Sequence, residues 1–400
     1  VAAVGANSFV ISLVVNFFIG IALGANVVIA NAIGREDTDA VHRAVHTAVV
    51  VAVLGGALVT VLGELVAGPA LRALNVPAEV LPYALLYLRI YLLGVPVILL
   101  YNFEAAIFRS VGDTRVPLQT LAFSGVLNVL LNLFFVIVLH MTVNGVATAT
   151  VLSNAISSVL LFVRLRRSDK AIHLEWTALR IDRRSLQKIL QIGIPAGIQS
   201  AVFSISNIVI QSAINSLGTV VMAASSAAFN IEVVAYDVLN SFSQACTTFV
   251  GQNYGAGKLD RCRKTLVLCL VEDALASGIA ILLVLGSGHF LLSLFNRDPE
   301  VIALGYTRLM TVFTAYFFSM LYEVMSGYLR GFGISLVPAL LTMLGVCGVR
   351  ILWIATAFPR SRTFQTILLA YPLSLAATAV LILLALLIYH PSRRTKGETV

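Results

Sequence analysis

The 400-residue chain is 59% apolar and only 12% charged, with a mean hydropathy of +0.94. Soluble domains have roughly a quarter charged residues, so this composition excludes one and places the chain in lipid. The net charge of +8 would suit nucleic acid, but most of the basic residues lie between apolar stretches and gather on one side of them, which excludes that partner.

Apolar stretches long enough to cross a bilayer, about 17–25 residues, fall near 8–30, 44–68, 83–108, 117–139, 143–164, 189–216, 222–250, 265–290, 303–329, 335–357 and 364–390. The expected fold is an all-α polytopic membrane protein. Residues 1–163 form a first lobe, 164–188 a cytoplasmic linker, 189–390 a second lobe and 391–400 a polar tail. In the first stretch Gly20 and Gly24 form a GxxxG pattern, which predicts close helix packing. Pro96 removes a backbone hydrogen bond and kinks its helix, as a hinge or as a static bend. Glu104, five residues before Arg109, is expected in a salt bridge at the rim. Asn128 and Asn132 share a helix face, as glue between helices or as a cleft lining. The linker, with Trp176 and alternating charges, is expected to face anionic headgroups.

The sixth stretch is unusually polar. Asn207, Gln211 and Asn215 repeat every four residues and form one stripe, expected to line a hydrated cleft, with hydrogen-bonded glue between helices as the other reading. A carboxylate inside hydrocarbon costs roughly 2.5–3.5 kcal/mol on insertion scales, so it faces a wet cavity or a partner. Asp237 lies near the middle of stretch 222–250, and Glu232 about 7–8 Å outward at helical rise. These two are the leading candidates for binding substrate or a coupling ion, followed by Glu323, roughly 10 Å from the basic end of its helix. Glu272 and Asp273 pair at the rim or line the cavity. Tyr236, Phe203 and Tyr322 stack on a cationic ligand or, more ordinarily for helical aromatics, serve packing. Pro372, inside the last helix, repeats the choice posed by Pro96. The cysteines at 246, 262, 269 and 347 form no CxxC pair or Cys/His cluster and read as buried free thiols; no metal and no cofactor are expected.

A repeat organises this list. Arg109-Ser110-Val111-Gly112-Asp113-Thr114-Arg115-Val116-Pro117 aligns without a gap, 221 positions on, with Arg330-Gly331-Phe332-Gly333-Ile334-Ser335-Leu336-Val337-Pro338, sharing arginine, glycine, valine and proline. At the same offset Asn75, Glu79 and Val80 meet Asn296, Glu300 and Val301, Gly34 and Asp39 meet Gly255 and Asp260, and Ser153 meets Ser374. A constant offset means two homologous halves, which in membrane transporters enclose a substrate path. The mate of stretch 189–216 would precede residue 1, so twelve helices are expected natively, six per half. Gly112 and Gly333 permit tight turns, and Pro117 and Pro338 suit the first turn of the next helix. Arg109 and Arg330 complete these hairpins, with a bracing role at a gate as the other reading. Twenty Arg and Lys residues fall on one side and four on the other, so the positive-inside rule makes the richer side, with the C-terminus, cytoplasmic.

Phe249-Val250-Gly251-Gln252-Asn253-Tyr254-Gly255-Ala256-Gly257-Lys258, Gly193-Ile194-Pro195-Ala196 and Leu329-Arg330-Gly331-Phe332-Gly333 with its first-half copy resemble markers of the multidrug and toxic-compound extrusion (MATE) family. The order of motifs matches over essentially the whole chain. The resemblance implies a bacterial inner-membrane exporter of two six-helix lobes, moving bulky, often cationic compounds outward against H⁺ or Na⁺. The helix-seven position that carries the coupling glutamate in one branch corresponds here to Phe203; the acidic residue of helix one used by another branch is not in this chain.

No Ser/His/Asp set or phosphate loop predicts an enzyme. A channel would assemble from identical subunits, whereas a duplication encloses its path within one chain, so a monomer suffices. A flippase for lipid-linked saccharides or other amphipathic lipids is the main alternative. It would carry cationic residues in its cleft, where Arg350 is the clear intramembrane candidate.

Overall fold

The computed structural model describes residues 2–73, 79–389 and 391. Among these there is no strand, and eleven helical segments are long and apolar enough to cross a membrane. In order they are α1 (Ala2–Gly34), α2 (Thr38–Ala73), α3 (Leu81–Ser110), α4 (Arg115–Leu133), α5 (Val143–Arg166), α6 (Arg183–Asn215), α7 (Thr219–Gly255), α8 (Leu259–Ser293) and α9 (Pro299–Gly331). Then follow α10 (Leu336–Thr342), continued through a π-helical stretch, Met343–Gly348, into α11 (Val349–Thr356), and finally α12 (Phe364–Tyr389). A second π stretch, Phe134–Val138, ends α4. Several helices outrun the apolar stretches that mark them, because backbone bonding within a helix continues into polar residues such as Gln252 and Asn253.

The duplication extends to helix ends. α1 stops at Gly34 and α7 at Gly255; α3 stops at Ser110 and α9 at Gly331; α4 starts at Arg115 and α10 at Leu336; α5 starts at Val143 and α12 at Phe364. Each pair is 221 apart. The turns repeat too. After α3 the Gly112 N–H bonds the Arg109 carbonyl at 2.9 Å and the Asp113 N–H bonds the Phe108 carbonyl at 3.1 Å. After α9 the Gly333 N–H bonds Arg330 at 2.8 Å and the Ile334 N–H bonds Leu329 at 3.1 Å. Both are Schellman caps, with φ of +78° and +84° at the glycines, a region that penalises any Cβ. The same cap closes α1 at Glu36 (φ +57°) and α7 at Gly257 (φ +71°). Pro117 and Pro338 occupy the first turn of the following helix, as expected.

The chain divides into two compact units, Val1–Gly197 and Ile198–Val400. The division falls inside α6 rather than in the segment 164–188, and four glycines explain why. A Cβ on Gly20 of α1 would strike the backbone of Gly197, and one on Gly24 would strike the Ile189 carbonyl, with Gly193 at 2.8 Å. The GxxxG of α1 therefore lies against a second GxxxG on α6, backbone on backbone, so α6 up to Gly197 packs with the first unit. The linker is held there as well. Ile172 and Leu174 are buried, the Glu175 N–H donates to His46 Nε2 at 3.0 Å, the Asp182 N–H donates to Thr47 at 3.0 Å, and Lys170 meets Asp113 at 3.0 Å. α5 runs into this segment as far as Arg166 and α6 begins at Arg183, and between them the one helical turn is the short 3₁₀ piece Trp176–Ala178.

Within the first unit α3 packs against α1, α2 and α5; within the second, α9 packs against α7, α8 and α12. The outward faces match across the repeat: Leu54, Leu58, Val61 and Leu62 on α2, and Leu275, Ile279, Leu282 and Leu283 on α8, are all exposed. These are lipid-facing surfaces. All four cysteines are free and buried, three of them in one apolar cluster with Val324 and Tyr328.

Candidate functional site

Among the described residues, most of the buried charged side chains lie in the second unit. Glu232 on α7 is buried and forms a two-pronged ion pair with Arg308 on α9: Nε to Oε1 at 2.7 Å and Nη2 to Oε2 at 2.8 Å. Arg308 also donates to Ser225 and, at 3.2 Å, to the Tyr371 hydroxyl of α12. The Glu232 carbonyl accepts from Tyr316 at 3.4 Å. The guanidinium lies 5.4 Å from the Tyr371 ring. A fork-to-fork contact of this kind satisfies both carboxylate oxygens, so Glu232 is occupied by the protein itself and is not the open carboxylate that its depth suggests. Arg308 sits nine residues into α9, about 13 Å from its start at helical rise, inside the unit rather than at a helix end.

Arg350 lies on α11, just past the π stretch, and is also buried. Its Nε donates to Ser374 at 3.1 Å and its Nη1 to the Asn207 Oδ1 at 3.4 Å. Its guanidinium stacks on the rings of Tyr371 at 4.5 Å and Phe203 at 5.4 Å. Among the described residues no carboxylate lies within ion-pair distance of it. Phe203 thus stacks on a cation, but the cation is the protein's own. Asn207 is drawn inward by Arg350, whereas Gln211 stays exposed and bonds Asn215 at 2.7 Å.

Asp237 is the middle residue of α7, is exposed, and forms none of the ion pairs or side-chain hydrogen bonds seen among the described residues. The exposed face it shares includes Ser226, Asn230 and Ser241, which recur at helical spacing. Phe229, Val233 and Val234 are exposed beside them, so the face is mixed; a carboxylate at this depth is costly against hydrocarbon and calls for a wet cavity or a partner.

Glu323 forms a third cluster. It is buried, accepts from the Tyr236 hydroxyl at 2.9 Å and stands 3.9 Å from Arg330. Ser243 donates to its backbone carbonyl at 2.7 Å. Arg330 of the repeated turn therefore reaches into its unit instead of merely closing a hairpin. Tyr236 is a hydrogen-bond donor here, and Tyr322 is fully buried. On α8, Glu272 points outward and Asp273 inward, where Ser277 donates to it at 2.6 Å.

In the first unit Glu104 is fully buried and accepts from Ser158 at 2.9 Å, while its Oε1 has no partner. The expected salt bridge with Arg109 is not formed. Their five-residue spacing along α3 turns Glu104 toward α5. Asn128 bonds Ser153 at 3.2 Å and Asn132 bonds Asn128 at 3.0 Å, so this stripe joins α4 to α5. Among the described residues no group of three or more His, Cys, Asp or Glu could hold a metal.

The family model MatE matches residues 1–134 and 195–355. The chain belongs to the MatE family. It is 27% identical over 360 residues to the probable multidrug resistance protein YoeA of Bacillus subtilis, covering 88% of this chain and 77% of that protein. A second relative, the probable multidrug resistance protein NorM of Thermotoga maritima, is 27% identical over 373 residues, covering 90% and 78%. The fold matches a solved outward-facing MATE family transporter of the MOP superfamily with a TM-score of 0.90 at 20% identity, over 98% of this chain and 89% of that one. MatE membership and eleven apolar helices make this a multi-pass membrane protein.

Arg308, the partner of Glu232, was the residue that the sequence reading missed. Arg308 had one available signal: a charge five residues inside the apolar stretch 303–329, on a helix neighbouring that of Glu232.

Proposed function

We propose that this MatE protein is a secondary antiporter that exports bulky amphipathic compounds, cationic ones foremost, in exchange for H⁺ or Na⁺. The observation that carries this reading is Asp237, an exposed carboxylate at the centre of a membrane-spanning helix with no side chain neutralising it. A cationic drug and the coupling ion competing for that one charge give exchange without any covalent step. The names of the relatives YoeA and NorM, both probable multidrug resistance proteins, support the substrate class. Glu323 is the second carboxylate of the proposed path, held by Tyr236 and Arg330 until a cation displaces them; Glu232 is assigned a structural part. The exposed Gln211 lines the path, and Asn207 orients Arg350. Arg109 and Arg330, with their glycine and proline turns, form the hinge at the basic face. That face is proposed as cytoplasmic, in a bacterial inner membrane, with the monomer as the working unit.

The test is accumulation of a fluorescent lipophilic cation in efflux-deficient cells expressing the full-length protein. Export that lowers accumulation and is lost in Asp237→Asn at normal expression supports the reading. Unchanged export in Asp237→Asn overturns the assignment of that residue.

A second reading has its own observation. Arg308 and Arg350 are both buried while Glu232 offsets only one of them, and flipping an amphipathic lipid with an anionic headgroup would draw on such a cation. Transport of an anionic amphiphile that Arg350→Gln abolishes, with cation export untouched, would favour it.

A further inference from the structure

Between α2, α3, α5 and the linker the first unit carries a groove of about 360 Å³. Its wall is apolar apart from Ser158: Val53 and Leu54 come from α2, Val97 from α3, Ala155 and Val159 from α5. Val53, Leu54 and Val159 are all exposed, and Leu54 shares its helical face with Leu58, Val61 and Leu62, which are exposed too. A void against hydrocarbon forfeits dispersion contacts along its whole wall, so a chain that fills it is retained.

Trp176 and Leu179 of the linker roof one end. Trp176 is 64% exposed and meets Phe162 edge-on at 5.6 Å. An exposed tryptophan at the end of a spanning bundle marks headgroup level. The segment 164–188 around it holds eight Arg and Lys against three acids. One of those acids, Asp182, is already engaged by the N–H and hydroxyl of Ser185, each at 2.8 Å. Arg164, Arg166, Arg167, Arg180 and Arg183 are exposed.

We propose that this groove is a specific site for an anionic phospholipid, with an acyl chain lying against α2, α3 and α5 and the phosphate held by the linker arginines. The charge at the roof excludes a cationic drug as the favoured occupant, and no carboxylate lines the wall to attract one. The floor adds a consequence. Ser158 separates the groove from Glu104, so a seated chain keeps water away from that buried carboxyl.

Trp176 is a built-in reporter once Trp353, the other tryptophan of these 400 residues, and any tryptophan outside them are changed to Phe. The experiment uses the full-length protein with these changes in phosphatidylcholine vesicles, titrated with phosphatidylglycerol or phosphatidylcholine brominated on the acyl chain. Half-quenching of Trp176 is expected at about a fivefold lower mole fraction of the brominated phosphatidylglycerol, the effect of one basic side chain near a headgroup. Filling the groove with Val53→Phe or Ala155→Phe weakens quenching by that lipid. The double change Arg180→Gln with Arg183→Gln brings the two lipids together. Equal half-quenching fractions in the Trp353→Phe protein, or curves indifferent to both groove-filling changes, would leave only bulk lipid around Trp176 and overturn the site.

Discussion

At equivalent places in the two halves, Asn26 donates to the Ala106 carbonyl at 3.4 Å and Thr247 to the Gly327 carbonyl at 3.0 Å. Ser157 and Thr378 each bond the carbonyl four residues back, at 3.0 and 2.7 Å. The interiors then part. The positions matching Glu232, Arg308 and Arg350 are Ile11, Tyr87 and Val129, and Glu323 is matched by Asn102. Conversely Glu104 and Ser158 are matched by Met325 and Ala379. Backbone packing and caps, which every helix pair needs, survived duplication; apart from the shared Arg109 and Arg330, these buried ionic groups, each costly in lipid, are carried by one half or the other. The comparison locates specialisation in side chains that the shared frame does not require.

The largest expected effect breaks the ionic side of this comparison. Arg308→Ala leaves Glu232 buried without a partner and should cost about 3–5 kcal/mol, seen as a sharp drop in the thermal midpoint of monodisperse detergent-solubilised protein. Replacing both residues with Met should recover most of that loss; a double variant as unstable as the single one would show that the pair is not the cause. Glu104→Gln, by contrast, keeps the Ser158 contact and should shift stability by under about 1 kcal/mol in the same assay. A loss as large as that of Arg308→Ala would mean that Glu104 has an ionic partner.

Smaller changes sharpen the shared frame. Gly112→Ala should cost about 1–2 kcal/mol through the positive φ alone, since a Cβ there meets nothing within 4 Å, and Gly333→Ala, at φ +84°, should cost at least about as much. Glu36→Gly should instead gain stability, by the same backbone argument; equal losses in all three variants would remove the Schellman pairs as the explanation. The smallest effect is a pH dependence at the linker. Partial burial raises Asp113, but the Lys170 ammonium and the N–H groups of Val116 and Arg115 outweigh it and hold the carboxyl below its ordinary value. Its contribution is full above the unfolded pKa of about 3.9 and fades as pH falls through the lower folded value. Lys170→Gln should flatten that acid limb of a thermal-stability profile.

Much of the frame was legible because it rests on periodic signals. Apolar length gave the eleven spans, and the Arg109–Pro117 and Arg330–Pro338 copies marked turns that proved to be the same cap twice. Gly20 and Gly24 announced a close approach without naming its partner, because Gly193 and Gly197 lie 169 or more residues further along the chain. The candidate site was legible only in depth. Depth alone could not tell Glu232, which Arg308 neutralises, from Asp237, which nothing does. The two differ by five residues, hence by 140° around α7 at helical pitch (about 3.6 residues per turn), and one faces the interior while the other faces out. That angle was readable, but which side held an arginine was decided by helix packing.

The glycine crossing between α1 and α6 also fixes an order of assembly. Unit one needs α6 as far as Gly197, yet α6 emerges from the ribosome only after α5 and the linker have been made. Throughout that interval the glycine face of α1 waits uncovered in the bilayer, and a chain released early, anywhere before α6, would display it to other membrane helices.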